Sequence, residues 1–108
     1  MVHQSATVFA ALADPVRMDI VARLAAADVS VSELSAPYAM SLQAVRKHLA
    51  VLEGAGLVRS EKVGRVRRCR LEPAPLQAAA SWLADRGDLW RGRLDALAAV
   101  VEGENHDR

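Results

Sequence analysis

The chain has 108 residues, 52% of them apolar and 4% aromatic, with 14 basic and 13 acidic side chains for a net charge of +1. That length and apolar content predict one domain, residues 1–108, with a core built from Ala, Leu and Val, and they exclude a disordered chain. No run of about 18 uncharged apolar residues exists to cross a membrane, Met1 to Ser5 lacks the basic stretch and apolar run of a signal peptide, and the lone Cys69 excludes an intrachain disulfide. A cytoplasmic protein is expected, with residues 1–5 and 102–108 as flexible tails.

Thr7 to Ala13 reads as a short helix with Val8, Phe9 and Leu12 apolar. Asp14-Pro15 restarts the chain: Asp is a good N-cap, and Pro at the first helical position gives up only an N–H that has no partner there. The helix it opens carries Val16, Ile20, Val21 and Leu24 at helical spacing and fades near Ala27-Asp28. Val29 and Val31 alternate with serine, which suits one short strand crossing. Ser30 and Glu33 have the spacing of a capping box, with Ser32 as a competing cap. A short helix over about Glu33–Pro37 follows, and Tyr38 to Met40 form a turn, because Pro37 cannot sit far inside a helix.

Ser41 caps the next helix, whose apolar positions Leu42, Val45, Leu49 and Leu52 face one way while Gln43, Arg46, Lys47 and Ala50 face the other. Gly54 and Gly56 bracket its end, where a left-handed residue is wanted. Leu57 to Val63 and Val66 to Glu72 form a hairpin turning at Gly64-Arg65. A long helix runs from about Pro75 to Val101. Leu76, Ala80, Leu83, Gly87, Trp90, Leu94, Leu97 and Val101 keep the alternating spacing of a seam along it. Ala79, Trp82, Leu89, Ala96 and Val100 make a second apolar line. One face satisfies its own domain; a second calls for another chain. A break near Gly87-Asp88 is the alternative to a continuous rod.

The small net charge hides an asymmetry. From Arg46 to Arg70 eight cations (Arg46, Lys47, Arg59, Lys62, Arg65, Arg67, Arg68 and Arg70) face only Glu53 and Glu61, a net of +6, so the rest of the chain carries −5. A basic patch on a mildly acidic body is the footprint of a polyanion-binding protein. A basic helix followed at once by a basic hairpin is the layout of a winged helix-turn-helix, a mainly α fold with a small β-hairpin. Such a module sets helix 41–54 in the DNA major groove and hairpin 57–72 along the backbone.

D-P-V-R-M-D-I-V-A-R-L, S-E-L-S-A-P-Y-A-M-S-L-Q-A-V-R-K-H-L-A-V-L-E-G-A-G-L-V and G-R-V-R-R-C-R-L together resemble the ArsR-type winged-helix regulators over about Val8 to Val101. The W-L…L-W-x-x-R-L-D-A-L ending resembles the branch without metal-binding cysteines. The resemblance implies a homodimer, joined through the first and last helices, that binds a double-stranded DNA operator and represses transcription. On that pattern Ser41, Gln43, Ala44, Arg46 and Lys47 occupy the groove-facing part of the recognition helix. His48 stands where members carry a histidine close to a phosphate, and Arg65, Arg67 and Arg68 match the wing. Val8, Phe9, Leu12, Leu83, Trp90, Leu94, Leu97 and Val101 fall on the helices that form the interface. Two positions depart from the pattern: many relatives have Pro in place of Gln43 and Ser in place of Arg46.

Gln43 can pair bidentately with adenine and Arg46 with guanine; Lys47, Arg65, Arg67 and Arg68 suit phosphates better than bases. Strand alternation puts Arg68 and Arg70 on one face and Arg67, Cys69 and Leu71 on the other, so an arginine can face inward and pair with an acid such as Glu61. Metal binding needs two or more close ligands, and His3, His48, His106 and Cys69 do not cluster in the sequence. The S-E-L-S-A stretch has no sulfur where metal-sensing relatives carry Cys-x-Cys, and the last helix offers Asp85, Asp88 and Asp95 but no histidine before His106. Cys69 reads as a small buried hydrophobe rather than a redox sensor, and Trp82 and Trp90 as packing residues rather than a ligand pocket. There is no catalytic triad, carboxylate pair or phosphate loop, so no enzyme and no cofactor are expected, and no residue here specifies an inducer. The rival function is a winged helix that binds a protein and has no DNA affinity.

Overall fold

A computed structural model describes the backbone of residues 2–106 and the side chains of residues 4–88 and 91–100. Its elements are helices α1 (Val2–Leu12) and α2 (Pro15–Ala26), strand β1 (Val29–Ser30), helices α3 (Val31–Ser35) and α4 (Leu42–Gly54), strands β2 (Val58–Val63) and β3 (Val66–Leu71), and helix α5 (Pro73–His106). Helix is assigned close to both ends of the described backbone. α1 begins at Val2, and Ser5 is buried. α5 continues to His106.

Short-range chemistry sets most boundaries. The Asp14 carboxylate accepts the Arg17 N–H at 3.0 Å and so caps α2, with Pro15 in its first turn. Ser30, not Ser32, caps α3: its Oγ accepts the Glu33 N–H at 3.1 Å. Val31 therefore opens a helix instead of extending the strand. α3 ends at Ser35, two residues short of Pro37, whose ring would clash with a continuing helix. A tertiary contact supplies its C-terminus: Arg23 on α2 donates to Leu34 O at 2.8 Å and Glu33 O at 3.0 Å. The same guanidinium lies over the Tyr38 ring, and the Tyr38 hydroxyl donates to Asp19, tying the turn before α4 back to α2. That hydroxyl's pKa lies above the usual phenol value, through burial first and the Asp19 bond second.

Ser41 Oγ accepts the Ala44 N–H at 3.1 Å and opens α4. The helix ends in a Schellman motif: Leu57 N–H reaches Leu52 O at 3.0 Å and Gly56 N–H reaches Glu53 O at 2.9 Å, with Gly56 at φ +74°. Gly56, and not Gly54, is the left-handed residue. Val45, Leu49 and Leu52 are buried as the spacing predicts, but Leu42 is 40% exposed. It sits in the first turn, ahead of the point where α4 meets the body.

The sheet has strand order β1-β3-β2, all antiparallel. Val63 pairs with Val66 across the two-residue turn, and Gly64 takes φ +65° there. Val29 pairs with Cys69 and Ser30 with Arg68, which places β1 beside β3. One core lies between α1–α4 and the base of the hairpin. Val8, Ile20, Leu34, Val45, Leu52, Leu57 and Cys69 are its fully buried side chains.

α5 is uninterrupted through Gly87 and 34 residues long. Pro73 and Pro75 both fall in its first turn, where missing N–H groups cost nothing. Its N-terminal part packs on α1: Ala79 is buried, and the Trp82 ring lies 5.8 Å from that of Phe9. Further along, every described side chain from Arg91 to Val100 is exposed. The molecule extends 70 Å on its long axis, because this half of α5 projects past the body.

Candidate nucleic-acid interface

The hairpin alternates, so each of its faces has one chemistry. Val58, Ser60 and Lys62 on β2 share a face with Leu71, Cys69 and Arg67 on β3. At the hairpin base this face is core. Nearer the tip it turns polar and faces α4. Together they enclose an open groove of about 520 Å³ lined by Val31, Arg46, Leu49, Glu53, Ser60, Lys62, Arg65 and Arg67. Four cations, from α4, β2, β3 and the turn between the two strands, thus converge on one cleft. Arg46, Lys62 and Arg65 make no hydrogen bond or ion pair among the described residues, whereas Arg67 Nε donates to Ser60 Oγ at 3.1 Å. The Ser60 hydroxyl in turn donates to Glu53 Oε1 at 2.6 Å.

Of the residues singled out from sequence, Arg46, Arg65 and Arg67 are brought together here. Gln43 and Lys47 are exposed on the outer face of α4, next to the groove. Ser41 and Ala44 form its capped first turn. Arg68 is not part of the cluster: it projects from the opposite hairpin face and donates to Asp28 O at 3.3 Å. The expected pairing of a hairpin arginine with Glu61 is replaced by Glu72, which lies 3.6 Å from Arg59 and 3.4 Å from Arg70. Such exposed pairs stabilise a fold by at most about 1 kcal/mol. Lys62, Ser60 and Glu53 were missed. Alternation assigns Lys62 and Ser60 to the Arg67 face, but only if the hairpin register is known. Nothing local marks Glu53.

His48 is half-buried where α4 meets α2. Its Nδ1 lies 3.2 Å from Arg17 Nη1 and 3.8 Å from Asp14 Oδ2. Arg17 can only donate, so Nδ1 accepts and the ring proton of the neutral form sits on Nε2. Arg17 Nε also donates to Ala11 O at 2.6 Å, so one side chain joins the end of α1 to α4. Asp14 is held below the ordinary carboxylate range, mainly by the Arg17 backbone N–H and then by the charges of His48 and Arg17. A depressed folded-state value means that the ionised form stabilises the fold above the ordinary carboxylate pKa, and that this is lost as pH falls through the depressed value. Asp14→Asn should therefore flatten the acid limb of the stability profile between about pH 5 and pH 2, as read by thermal melts across that range. A variant that keeps the wild-type acid limb would contradict the assignment.

Of the residues expected at a dimer interface, one is fully buried in the single chain. Val8 is 0% exposed in the single chain, where it belongs to the core, and Phe9 and Leu12 are half-buried against that core. The side chains of Trp90 and Val101 lie outside the described residues. Leu83, Leu94 and Leu97 are exposed. Cys69 is fully buried, and burial pushes its thiol up, with the Glu53 charge adding to the effect and Arg67 opposing it. That is the reverse of what a reactive thiolate needs. Arg86 lies over the Trp82 ring at 4.5 Å, completing a packed contact rather than a pocket. Among the described residues no group of three or more His, Cys, Asp or Glu is placed to hold a metal ion. No described helix is long and apolar enough to cross a membrane.

A helix-turn-helix over α3 and α4, flanked by a basic hairpin that shares a cationic groove with the second helix, defines a winged helix-turn-helix protein. Comparison with known proteins agrees. Residues 12–61 match a family described as helix-turn-helix domain. The HTH-type transcriptional regulator Rv2034 of Mycobacterium tuberculosis is 36% identical over 97 residues, covering 90% of this chain and 88% of the relative. A crystal structure of an ArsR family transcriptional regulator superposes with a TM-score of 0.77 at 41% identity, covering 84% of this chain and 94% of the other. An ArsR-like transcriptional regulator from Rhodococcus sp. RHA1 superposes at 0.71 with 42% identity, over 91% and 92% of the two chains. The chain belongs to the ArsR family of helix-turn-helix transcriptional regulators, whose members bind DNA and are not in general enzymes.

Proposed function

We propose that this protein is a cytoplasmic, homodimeric, sequence-specific repressor. The observation that carries this reading is the convergence of Arg46, Lys62, Arg65 and Arg67 on one groove, beside a helix face that presents Gln43 and Lys47. α4 enters the major groove. Gln43 and Arg46 read base edges there, while Lys47, Lys62, Arg65 and the free end of Arg67 meet phosphates. His48 offers its Nε2 proton to the backbone. α5, with Leu83, Leu94 and Leu97 exposed, joins a second copy, so the two recognition helices address half-sites about 10 bp apart or a multiple of that. A module that occupies promoter DNA regulates most simply by obstructing transcription.

Binding-site selection from random DNA, repeated at two salt concentrations, tests the reading as a whole. With about eight phosphates met by the dimer, log K should fall against log[salt] with a slope of about −7. Arg46→Ala should relax the selected sequence, at about 1–3 kcal/mol per lost base contact, whereas Arg65→Ala should weaken operator and random DNA alike. Equal losses on both DNAs for both variants would refute that division. Absence of any salt-dependent DNA affinity would point to a protein-binding module.

A further inference from the structure

The basic groove contains one carboxylate, and its placement is specific. Glu53 is exposed on α4, two turns after Arg46, and lines the same cleft as Arg46, Lys62, Arg65 and Arg67. Among the described residues it forms no direct ion pair with any of them. Its Oε1 instead accepts the half-buried Ser60 hydroxyl at 2.6 Å, and that hydroxyl accepts Arg67 Nε at 3.1 Å. The polarity of this chain is fixed, because an arginine only donates and a carboxylate only accepts. Three elements, α4, β2 and β3, are joined by it.

Two consequences follow. Arg67, which lines the groove, is held through Nε alone, and no hydrogen bond among the described residues occupies its other two nitrogens. The negative charge of Glu53, not neutralised by direct contact, stands where a phosphate would otherwise settle among four cations. Unwelcome partners are rejected by such built-in repulsion as much as chosen by attraction.

We propose that Glu53 is a specificity-determining positioning residue: braced through Ser60, it fixes Arg67 between recognition helix and hairpin and repels phosphate from the groove floor, so that random DNA is held less tightly than the cations alone would hold it. The proposal rests on the DNA-binding reading above. A role confined to bracing the fold would be served equally by glutamine, which also accepts from a hydroxyl, so Glu53→Gln separates charge from hydrogen bond.

The test measures binding of wild type, Glu53→Gln and Ser60→Ala to the selected operator and to a random duplex over a salt series, with melting curves for each protein. Glu53→Gln should bind random DNA about three- to tenfold tighter at low salt, with a salt slope steeper by about one unit per subunit. Its operator affinity should change less, so the ratio of operator to random affinity falls at least threefold. Ser60→Ala, which keeps the charge but frees Arg67, should lower that ratio with the slope unchanged. Should Glu53→Gln melt early, Glu53→Ala at this exposed position makes the same charge change. The proposal is overturned if removing the charge tightens neither DNA, or tightens both by one factor. A Ser60→Ala ratio equal to wild type would overturn the brace. A wild type that binds no DNA would bring down the function itself, a result distinct from either.

Discussion

A double variant, Leu94→Glu with Leu97→Glu, is expected to run as a folded monomer and to lose at least about a hundredfold in operator affinity. These leucines are 57% and 60% exposed on the half of α5 that leaves the body, and no described side chain of their own chain covers them. Carboxylates there leave the core untouched, yet they cannot be buried against a second α5 without a large desolvation cost. Joining two DNA-binding modules turns the second contact into an intramolecular one, which typically multiplies affinity by about 10² to 10⁴. Severing the modules gives that factor back. Light scattering after size exclusion reads the mass, and a titration with operator reads the affinity. The wild-type melting temperature should rise with protein concentration and the variant's should not. A variant that stays dimeric would move the interface elsewhere on the surface.

Leu52→Ala is expected to destabilise the fold by about 2–5 kcal/mol. The side chain is 0% exposed and packed in the core beneath the recognition helix. Removing it loses the transfer free energy of the deleted carbons and leaves a cavity that the surrounding Leu, Ile and Val can only partly refill. In a domain of this size each kcal/mol moves the melting temperature by about 4–8 °C, so a drop of about 8 °C or more should be plain in a thermal scan. Leu42→Ala on the same helix is the control. At 40% exposure, Leu42 should cost far less. Equal losses at the two positions would mean that α4 is rotated from the orientation described.

How far the groove can be read in advance depends on the reach of each signal. Asp14, Ser41, Gly56 and Gly64 act on backbone groups within about five residues, and their roles as caps and turn residues are legible one element at a time. The same holds for α4, where apolar and basic positions separate cleanly by helical period. Arg68 shows the limit. It looks like Arg67 in a run of arginines, yet strand alternation sends the two to opposite faces, and only the pairing of β3 with β2 and β1 says which face meets α4. Ser30 and Ser32 are equally good caps by composition; pairing of β1 with β3 ends the strand at Ser30 and decides between them.

Local order in this protein, its helices, caps, hairpin turn and the clustering of positive charge between Arg46 and Arg70, is written in residue type and spacing, because those effects act over a few bonds or a few ångströms of backbone. Which side chains share a cleft is a different matter. Glu53, Ser60 and Arg67 are seven residues apart in steps along the chain and meet only because α4 packs against the hairpin. Val8 is buried because several elements close one core around it, and Arg17 reaches His48 only where α2 crosses α4. Those contacts depend on how whole elements bury their apolar faces together, and that packing is a property of the assembled core rather than of any one stretch of sequence.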